Sequence, residues 1–539
     1  MRQRGQSSET TAASKVATVA QADGNPRTTQ RDEQATIPIS WALVIVVSFS
    51  ICIRAAVSLS PYSGENTPPL YGDYEAQRHW MEISLHLPPS SWYQNSSDND
   101  LAYWGLDYPP LSGYASWALG KIVQFVEPNA VRLHSSRGFE SPLSRAAMRF
   151  TVLLSDLLVF FPGLVLASYS VYRSPVSHHI FDTARTTQLV PVVAFCATLP
   201  ALILTDHGHF QYNGVSLGLF LFAMAFFILR KEALGAASLC LSIYFKQMGL
   251  YYGLAVFSFL VGRLWRILRR SGPTSAFLFV CKLISSILLV SVITFWPWLS
   301  EKELLVSVLK RLFPVSRGLF EDKVANVWCS ISVLIKMKAL LEPEMLIKMC
   351  ATCTVLTSLP FCVAVAVKPS PDRLLLSTGG CALAAYLFAF QVHEKQILLP
   401  LLPLCVLYGK HPLISFWISI VASMSMFPLF QRERLLSAYW ATLLIHIALV
   451  SSTCRFKGCS QTVYKRIALK VALVIGVFLH LPLLVLTPPS NMPDIFVLLN
   501  TGYACANFCI IYLCMVYSVW TDSTLKCAAS LRIELFSLA

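Results

Sequence analysis

Trp41-Ala-Leu-Val-Ile-Val-Val-Ser-Phe-Ser-Ile-Cys-Ile-Arg-Ala-Ala-Val-Ser-Leu59 sets the class of this chain. It is an apolar run of the length a helix needs to cross a bilayer, about 20 residues. Shortly after it comes Tyr71-Gly-Asp-Tyr-Glu-Ala-Gln-Arg-His-Trp80, with two carboxylates, an arginine and a histidine in one short stretch. Asp73 and Gln77, Glu75 and His79, and Arg78 and Glu82 are each four apart, so a helix pairs them along its faces. A dense polar set beside a membrane span calls for a use.

Working outward, the chain has 539 residues, 55% of them hydrophobic and only 13% charged. Its mean hydropathy is +0.57. Soluble domains carry about 25% charged residues, so the composition implies an all-α polytopic membrane protein. The formal charge of +14 fits basic loops between spans. No RNA- or DNA-binding module is visible, and no nucleic-acid partner is expected. Most of the 16 cysteines lie in apolar runs and read as small packing residues. Cys350-x-x-Cys353 has no second pair and carries no metal reading.

Apolar runs of spanning length recur at about 41–59, 147–172, 187–205, 213–230, 233–246, 248–264 and 274–299. They resume at about 344–367, 374–391, 396–409, 411–428, 435–452, 467–487 and 495–520. That gives about fourteen transmembrane helices, several of them short. Residues 1–37 read as a disordered cytosolic tail and not a cleaved signal peptide. The expected organisation is an N-terminal transmembrane module, 38–300, that includes a long loop at 60–146. An interfacial loop, 301–343, a second transmembrane module, 344–520, and a cytosolic tail, 521–539, follow.

Basic residues in the first tail, in Arg173–Arg185, Arg230-Lys231, Arg263–Arg270 and Arg455–Arg466 put these segments in the cytosol. Counts from the two ends meet only if one segment between 300 and 391 does not cross. Residues 324–341, broken by Lys336 and Lys338, are the expected non-crossing helix. Loops 60–146 and 300–343 then face the lumen. The single sequon, Asn95-Ser-Ser97, falls there as a candidate glycosylation site.

The polar clusters fall on that same side. They are Asp73–His79, Trp92-Tyr93, Tyr103-Trp-Gly-Leu-Asp-Tyr-Pro-Pro110, Asp206-His-Gly-His-Phe-Gln-Tyr-Asn213, Lys246-Gln-Met248, Arg311–Asp322 and Gln391-Val-His-Glu-Lys395. Ionisable residues at membrane depth are functional candidates by default. The residue types suit a sugar phosphate. Trp80, Trp92, Tyr93 and Trp104 can stack on sugar rings. Lys246, Arg311, Arg317, His393 and Lys395 can hold a phosphate, and Asp73 can take a proton from a hydroxyl. Structural alternatives stand beside these. Asp73 can cap its helix, and Arg78 with Glu82 can be a purely structural pair. Asp107 can start a turn, and Trp104 and Tyr108 can be interfacial. His207 and His209 have only Asp206 as a nearby third ligand, so neither a metal nor a cofactor is read. Phosphate-loop and dinucleotide glycine patterns are absent, which favours a lipid-linked donor over a nucleotide sugar.

These motifs, in order from Asp73 to Lys395, closely resemble the endoplasmic reticulum dolichyl-phosphate-glucose α-1,3-glucosyltransferases. Asp-Tyr-Glu-Ala-Gln-Arg-His-Trp and Trp-Gly-Leu-Asp-Tyr-Pro-Pro favour the members that add the first glucose to the dolichyl-diphosphate nine-mannose oligosaccharide. The alternatives are the sister enzymes that add the second glucose and a non-catalytic lipid or sugar transporter. The resemblance implies a C-type glycosyltransferase fold in the endoplasmic reticulum membrane, with its site facing the lumen, and transfer with inversion. It implies Asp73 as base and His393 near the donor phosphate. Lys246, Arg311, Arg78, Trp80, Trp92, Tyr93, Asp107, His207, His209 and Gln211 are the other substrate-binding candidates. The chain departs from the expected pattern at Gly214, where Ser is expected, and at Gly249, where Glu is expected.

Overall fold

The computed structural model describes residues 38–173, 188–313, 323–453 and 463–521. The expected tail 1–37, nearly all of 521–539, most of Arg173–Arg185, part of Arg455–Arg466 and the stretch holding Arg317 lie outside the described residues.

Among the described residues the chain is helical, with only an isolated bridge at Val392 besides helix and turn. That is what a bilayer demands, because a helix satisfies its own backbone groups. α1 (Ile39–Val57) is the expected first span. α2 (Asp73–His86) and α3 (Pro110–Val126) lie in the following loop and pack on each other. α4 (Pro142–Ser155) opens on a capping box between Ser141 and Ser144, with Pro142 in the first turn. It runs through a wide π turn at Asp156–Phe160 into α5 (Phe161–Tyr172), forming one continuous span.

The next apolar run is bent. α6 (Leu189–Ala197) breaks before Pro200, and α7 (Pro200–Ile203) continues into a second π turn, Leu204–Phe210, at 42° to α6. The polar motif Asp206–His209 therefore sits buried inside a helix end rather than in a loop. π turns often mark functional positions.

α8 (Asn213–Ile228) and α9 (Glu232–Phe245) form a hairpin. α8 meets α5 through glycine: a Cβ on Gly163 would lie 2.5 Å from the Gly218 carbonyl oxygen. Small residues permit such backbone approach between membrane helices. α10 (Gly253–Phe295) is broken at Gly272, whose φ of +81° favours glycine, followed by Pro273. The two expected spans at 248–264 and 274–299 fall on either side of this break.

Among the described residues, five helices are long and apolar enough to cross a membrane, and six if the bent pair counts as one span. Five further apolar helices of 10–17 residues accompany them. The expected count of about fourteen therefore includes segments that are short, bent or joined. Residues 324–341 form two helices too short to cross, Val327–Ser332 and Met337–Leu340.

The main core runs through α5, α6, α8 and the helices Pro371–Phe388, Leu398–Val406 and Pro412–Ser425. A second cluster, including Tyr74, Met81, Val123, Met148 and Phe210, seats α2 on α3 and α4. A third gathers Trp80, Trp92 and Tyr93 against Trp298, Leu304 and Val308. These two clusters fix the start of α2.

Candidate active site

Asp73 is the first residue of α2, and the cap position before it is held by extended Gly72. The helix-cap alternative is thereby replaced by a different set of partners. Three donors converge on one carboxylate oxygen, Oδ2. Lys395 Nζ donates at 2.6 Å, His209 Nε2 lies at 2.8 Å, and Gln211 Nε2 donates as well. The other oxygen, Oδ1, has no hydrogen-bond partner among the described residues, and the side chain is 23% exposed. Burial alone would raise the carboxyl pKa. The charges and hydrogen bonds of Lys395 and His209 outweigh it and hold the group well below the usual carboxylate range. The positive end of α2 acts in the same direction. Burial likewise opposes the charge on Lys395, but the Asp73 and Glu394 carboxylates raise its pKa above the ordinary lysine value.

The partners come from distant segments. His209 ends the buried π turn. Phe210, at φ +91°, redirects the chain so that Gln211 returns toward Asp73. Lys395 sits in the single turn Glu394–Ile397. The second ring nitrogen of His209 meets Glu433 Oε2 at 2.6 Å.

Beside Asp73 lies a cavity of about 520 Å³. Of the expected site residues, Trp80, Asp107, Gln211, Lys246, Arg311 and His393 line it together with Asp73 and Lys395. Lys246 is held in place: its Nζ donates to Asn213 Oδ1 at 2.6 Å and lies 4.8 Å from the centre of the Tyr108 ring. Asn213 is fixed in turn by Asp206, 2.7 Å away. The Arg311 guanidinium donates to the carbonyls of Leu101, Gly105 and Leu106, which ties it to the cavity wall. Trp80 stacks edge-on with Tyr108 and donates to the Trp104 carbonyl at 2.8 Å. The cavity thus offers aromatic faces, cations and one carboxylate oxygen with no partner.

Five expected binding residues do not line the cavity: His209, which contacts Asp73, and four that lie elsewhere. Arg78 is buried in an ion cluster with Glu75 and Glu82. Trp92 packs on Tyr114 and Trp298, with its indole N–H on the Leu87 carbonyl. Tyr93 donates to the Tyr108 carbonyl at 2.6 Å and so steadies a cavity residue from behind. His207 meets Asp156 Oδ2 at 2.9 Å, and Asp156 also accepts from Arg54 at 2.7 Å. Arg78 and His207 share motifs with cavity residues, but neighbouring positions on a helix or turn point to different surroundings. Asn95 is exposed, and its side chain accepts from the Leu101 N–H.

Two positions have contacts that residue type alone does not give. Lys395, expected at a phosphate, sets its ammonium on Asp73. Glu433, outside the expected set, meets His209. Its only signal is the charged Gln431-Arg-Glu-Arg434 connection between two apolar runs.

Similarity to known proteins now bears on this geometry. Residues 50–515 match the family described as "ALG6, ALG8 glycosyltransferase family". The chain belongs to this family. A rat protein named dolichyl pyrophosphate Man9GlcNAc2 alpha-1,3-glucosyltransferase is 39% identical over 499 residues, covering 87% of this chain and 95% of its own. A Dictyostelium discoideum protein named as a probable enzyme of the same kind is 36% identical, covering 91% and 97%. One from Schizosaccharomyces pombe, also named probable, is 37% identical, covering 85% and 87%. The family match takes in Asp73, His209, Lys246, His393, Lys395 and Glu433.

The two departures from the expected family pattern lie beside the site. A Cβ on Gly214 would collide with Asp156 Oδ1, so here the Asp156 carboxylate fills the space a serine would need. Gly249 is buried and follows the cavity residues Gln247 and Met248. A Cβ there would meet Ile243 at 3.2 Å, a tight fit.

Proposed function

We propose that this chain is the inverting glucosyltransferase that moves glucose from dolichyl-phosphate-glucose to the dolichyl-diphosphate nine-mannose oligosaccharide. The product carries the first glucose in α-1,3 linkage. The observation that carries the reading is the unpartnered Oδ1 of an ionised Asp73 beside a cavity that also holds Lys246, Arg311 and His393. The names of the relatives support the acceptor and the step.

Inversion of a β-linked donor to an α product requires one in-line displacement. The base and the leaving phosphate stand on opposite faces of the sugar carbon. Asp73 Oδ1 takes the proton of the acceptor mannose hydroxyl as its oxygen bonds to the glucose carbon. The bond to phosphate breaks, and the electron pair leaves with the dolichyl phosphate. Lys246, Arg311 and His393 hold that phosphate and its developing charge. The leaving group is a stable phosphate monoester and needs no general acid. Trp80 and Tyr108 present ring faces and edges to the sugars. Both transmembrane modules, 38–300 and 344–520, contribute, the second through His393 and Lys395. In this reading the protein resides in the endoplasmic reticulum membrane, its site and Asn95 face the lumen, and both termini are cytosolic.

Purified protein given dolichyl-phosphate-glucose and acceptors carrying zero or one glucose tests the step. Transfer to the unglucosylated acceptor is expected. Transfer only to the one-glucose acceptor overturns the assignment. Lys246→Met should lower kcat by about 10²- to 10³-fold, the typical effect of removing one charge-stabilising donor. Steady-state kinetics with varied donor check this, and an unchanged kcat removes Lys246 from the phosphate site.

A further inference from the structure

We propose that Glu433 is a positioning residue for the transfer reaction, acting through His209 on Asp73. The inference rests on the glucosyltransferase reading and adds a residue to it.

His209 lies between two carboxylates. Its Nε2 is 2.8 Å from Asp73 Oδ2 and its Nδ1 is 2.6 Å from Glu433 Oε2. The ring is 3% exposed and Glu433 is 7% exposed. An ionised carboxylate only accepts hydrogen bonds. Both contacts are therefore hydrogen bonds only when both ring nitrogens carry protons, so the arrangement holds His209 as imidazolium. Lys395 Nζ, 3.0 Å from Nε2, then donates to Asp73 instead, at 2.6 Å. Two carboxylates and two cations make a neutral group.

Glu433 reaches this position through a local reversal. The helix Phe427–Arg432 ends, Arg434 takes φ +59°, and the Leu435 N–H returns to the Phe430 carbonyl at 2.8 Å. The Leu435 side chain then lies against Gly208, close enough that a Cβ there would sit 2.9 Å from it. Segments 433–435 and 208–209 are thereby locked together. The other charged neighbours include Arg432 and Arg434, which flank Glu433; Glu394, beside Lys395; Lys246, whose charge acts on Asp73 and Lys395 across the cavity; and Arg149 of α4. Arg149 donates to the carbonyls of His207 and Gly208.

The consequence falls on Asp73. With Glu433 ionised, the imidazolium pins Oδ2 and leaves Oδ1 as the oxygen that receives the acceptor proton. Without that anion, the buried ring sheds its Nδ1 proton. Asp73 then loses one of its two cations, and its carboxyl rises toward the ordinary range.

The test is full-length protein in detergent carrying Glu433→Gln or Glu433→Asp, with kcat and KM measured from about pH 4 to pH 8. A depressed carboxyl stays ionised to low pH, so the wild-type rate should persist on acidification. Glu433→Gln should move the acid limb of kcat up by about one to three pH units, the range expected when an opposite charge is lost. At neutral pH kcat should fall about tenfold, with KM for donor and acceptor little changed. Glu433→Asp should restore part of both effects. A Glu433→Gln profile that superposes on wild type overturns the role, and so does a raised KM with unchanged kcat. A wild type that transfers no glucose overturns the functional reading itself, a result distinct from loss of the Glu433 role alone.

Discussion

Asp73→Asn should lower glucose transfer by about 10²- to 10⁴-fold, the range for loss of a general base, while the protein stays folded in the membrane. The asparagine oxygen can replace Oδ2 and accept from Lys395, His209 and Gln211. The amide nitrogen then stands where Oδ1 was, and it cannot accept a proton. The substitution keeps the shape of the site and removes its basicity. KM for the donor should change little, because the groups proposed to hold the phosphate lie elsewhere on the cavity wall. Single-turnover transfer at matched amounts of folded protein measures the effect. A rate within twofold of wild type would remove Asp73 from the chemistry.

Arg78→Ala should be the most damaging change outside the cavity. The Arg78 guanidinium bonds Glu75 twice at 2.7 Å, Glu82 at 2.8 Å, the Ala130 carbonyl at 2.9 Å and Ser136 Oγ at 2.6 Å. Glu75 also accepts from Tyr103 at 2.7 Å, and Glu82 from the His134 N–H at 2.8 Å. These bonds tie α2 to the loop 130–138. The three ionic side chains are at most 4% exposed. Removing the cation strands two carboxylates away from water, at a cost of about 3–5 kcal/mol. A large drop in melting temperature in detergent is expected, with transfer lost because α2 no longer holds Asp73. A melting temperature equal to wild type would contradict this account.

Acid dependence gives a second readout of the same cluster. Burial pushes the Glu82 carboxyl up, but hydrogen bonds from His79 and Arg78 and their charges bring it down to about 2, from an ordinary value of 4.5. A depressed carboxyl contributes stability above its unfolded pKa and loses it as pH falls through the folded one. Wild type should therefore lose stability between about pH 4.5 and pH 2. In Arg78→Ala the carboxylates gain from protonation, so the loss should vanish or reverse.

Much of the site was legible because its residue types are costly in an apolar chain. Asp73, Lys246, His393 and Arg311 stood out against long hydrophobic runs, and these four do line one cavity. Arg78 and His207 stood out for the same reason but serve buried ion clusters. Cost alone says that a polar group has a partner, not whether the partner is substrate or protein. Trp92 and Tyr93 show the same ambiguity for aromatics. Their rings fill a core with Trp298.

The sequence by itself determined the all-helical membrane class, the family and the inventory of polar groups. Hydrophobic length and residue type are local properties, and a bilayer leaves few backbone solutions. The tertiary structure alone decided which oxygen of Asp73 is engaged and which is open. It also decided that Lys395 serves Asp73 and that Glu433 stands behind His209. Those contacts join positions 136, 322 and 224 residues apart. No periodicity within a helix encodes such separations. They arise only when the bend at Pro200, the turn at Phe210 and the reversal at Arg434 help bring four chain segments to one point.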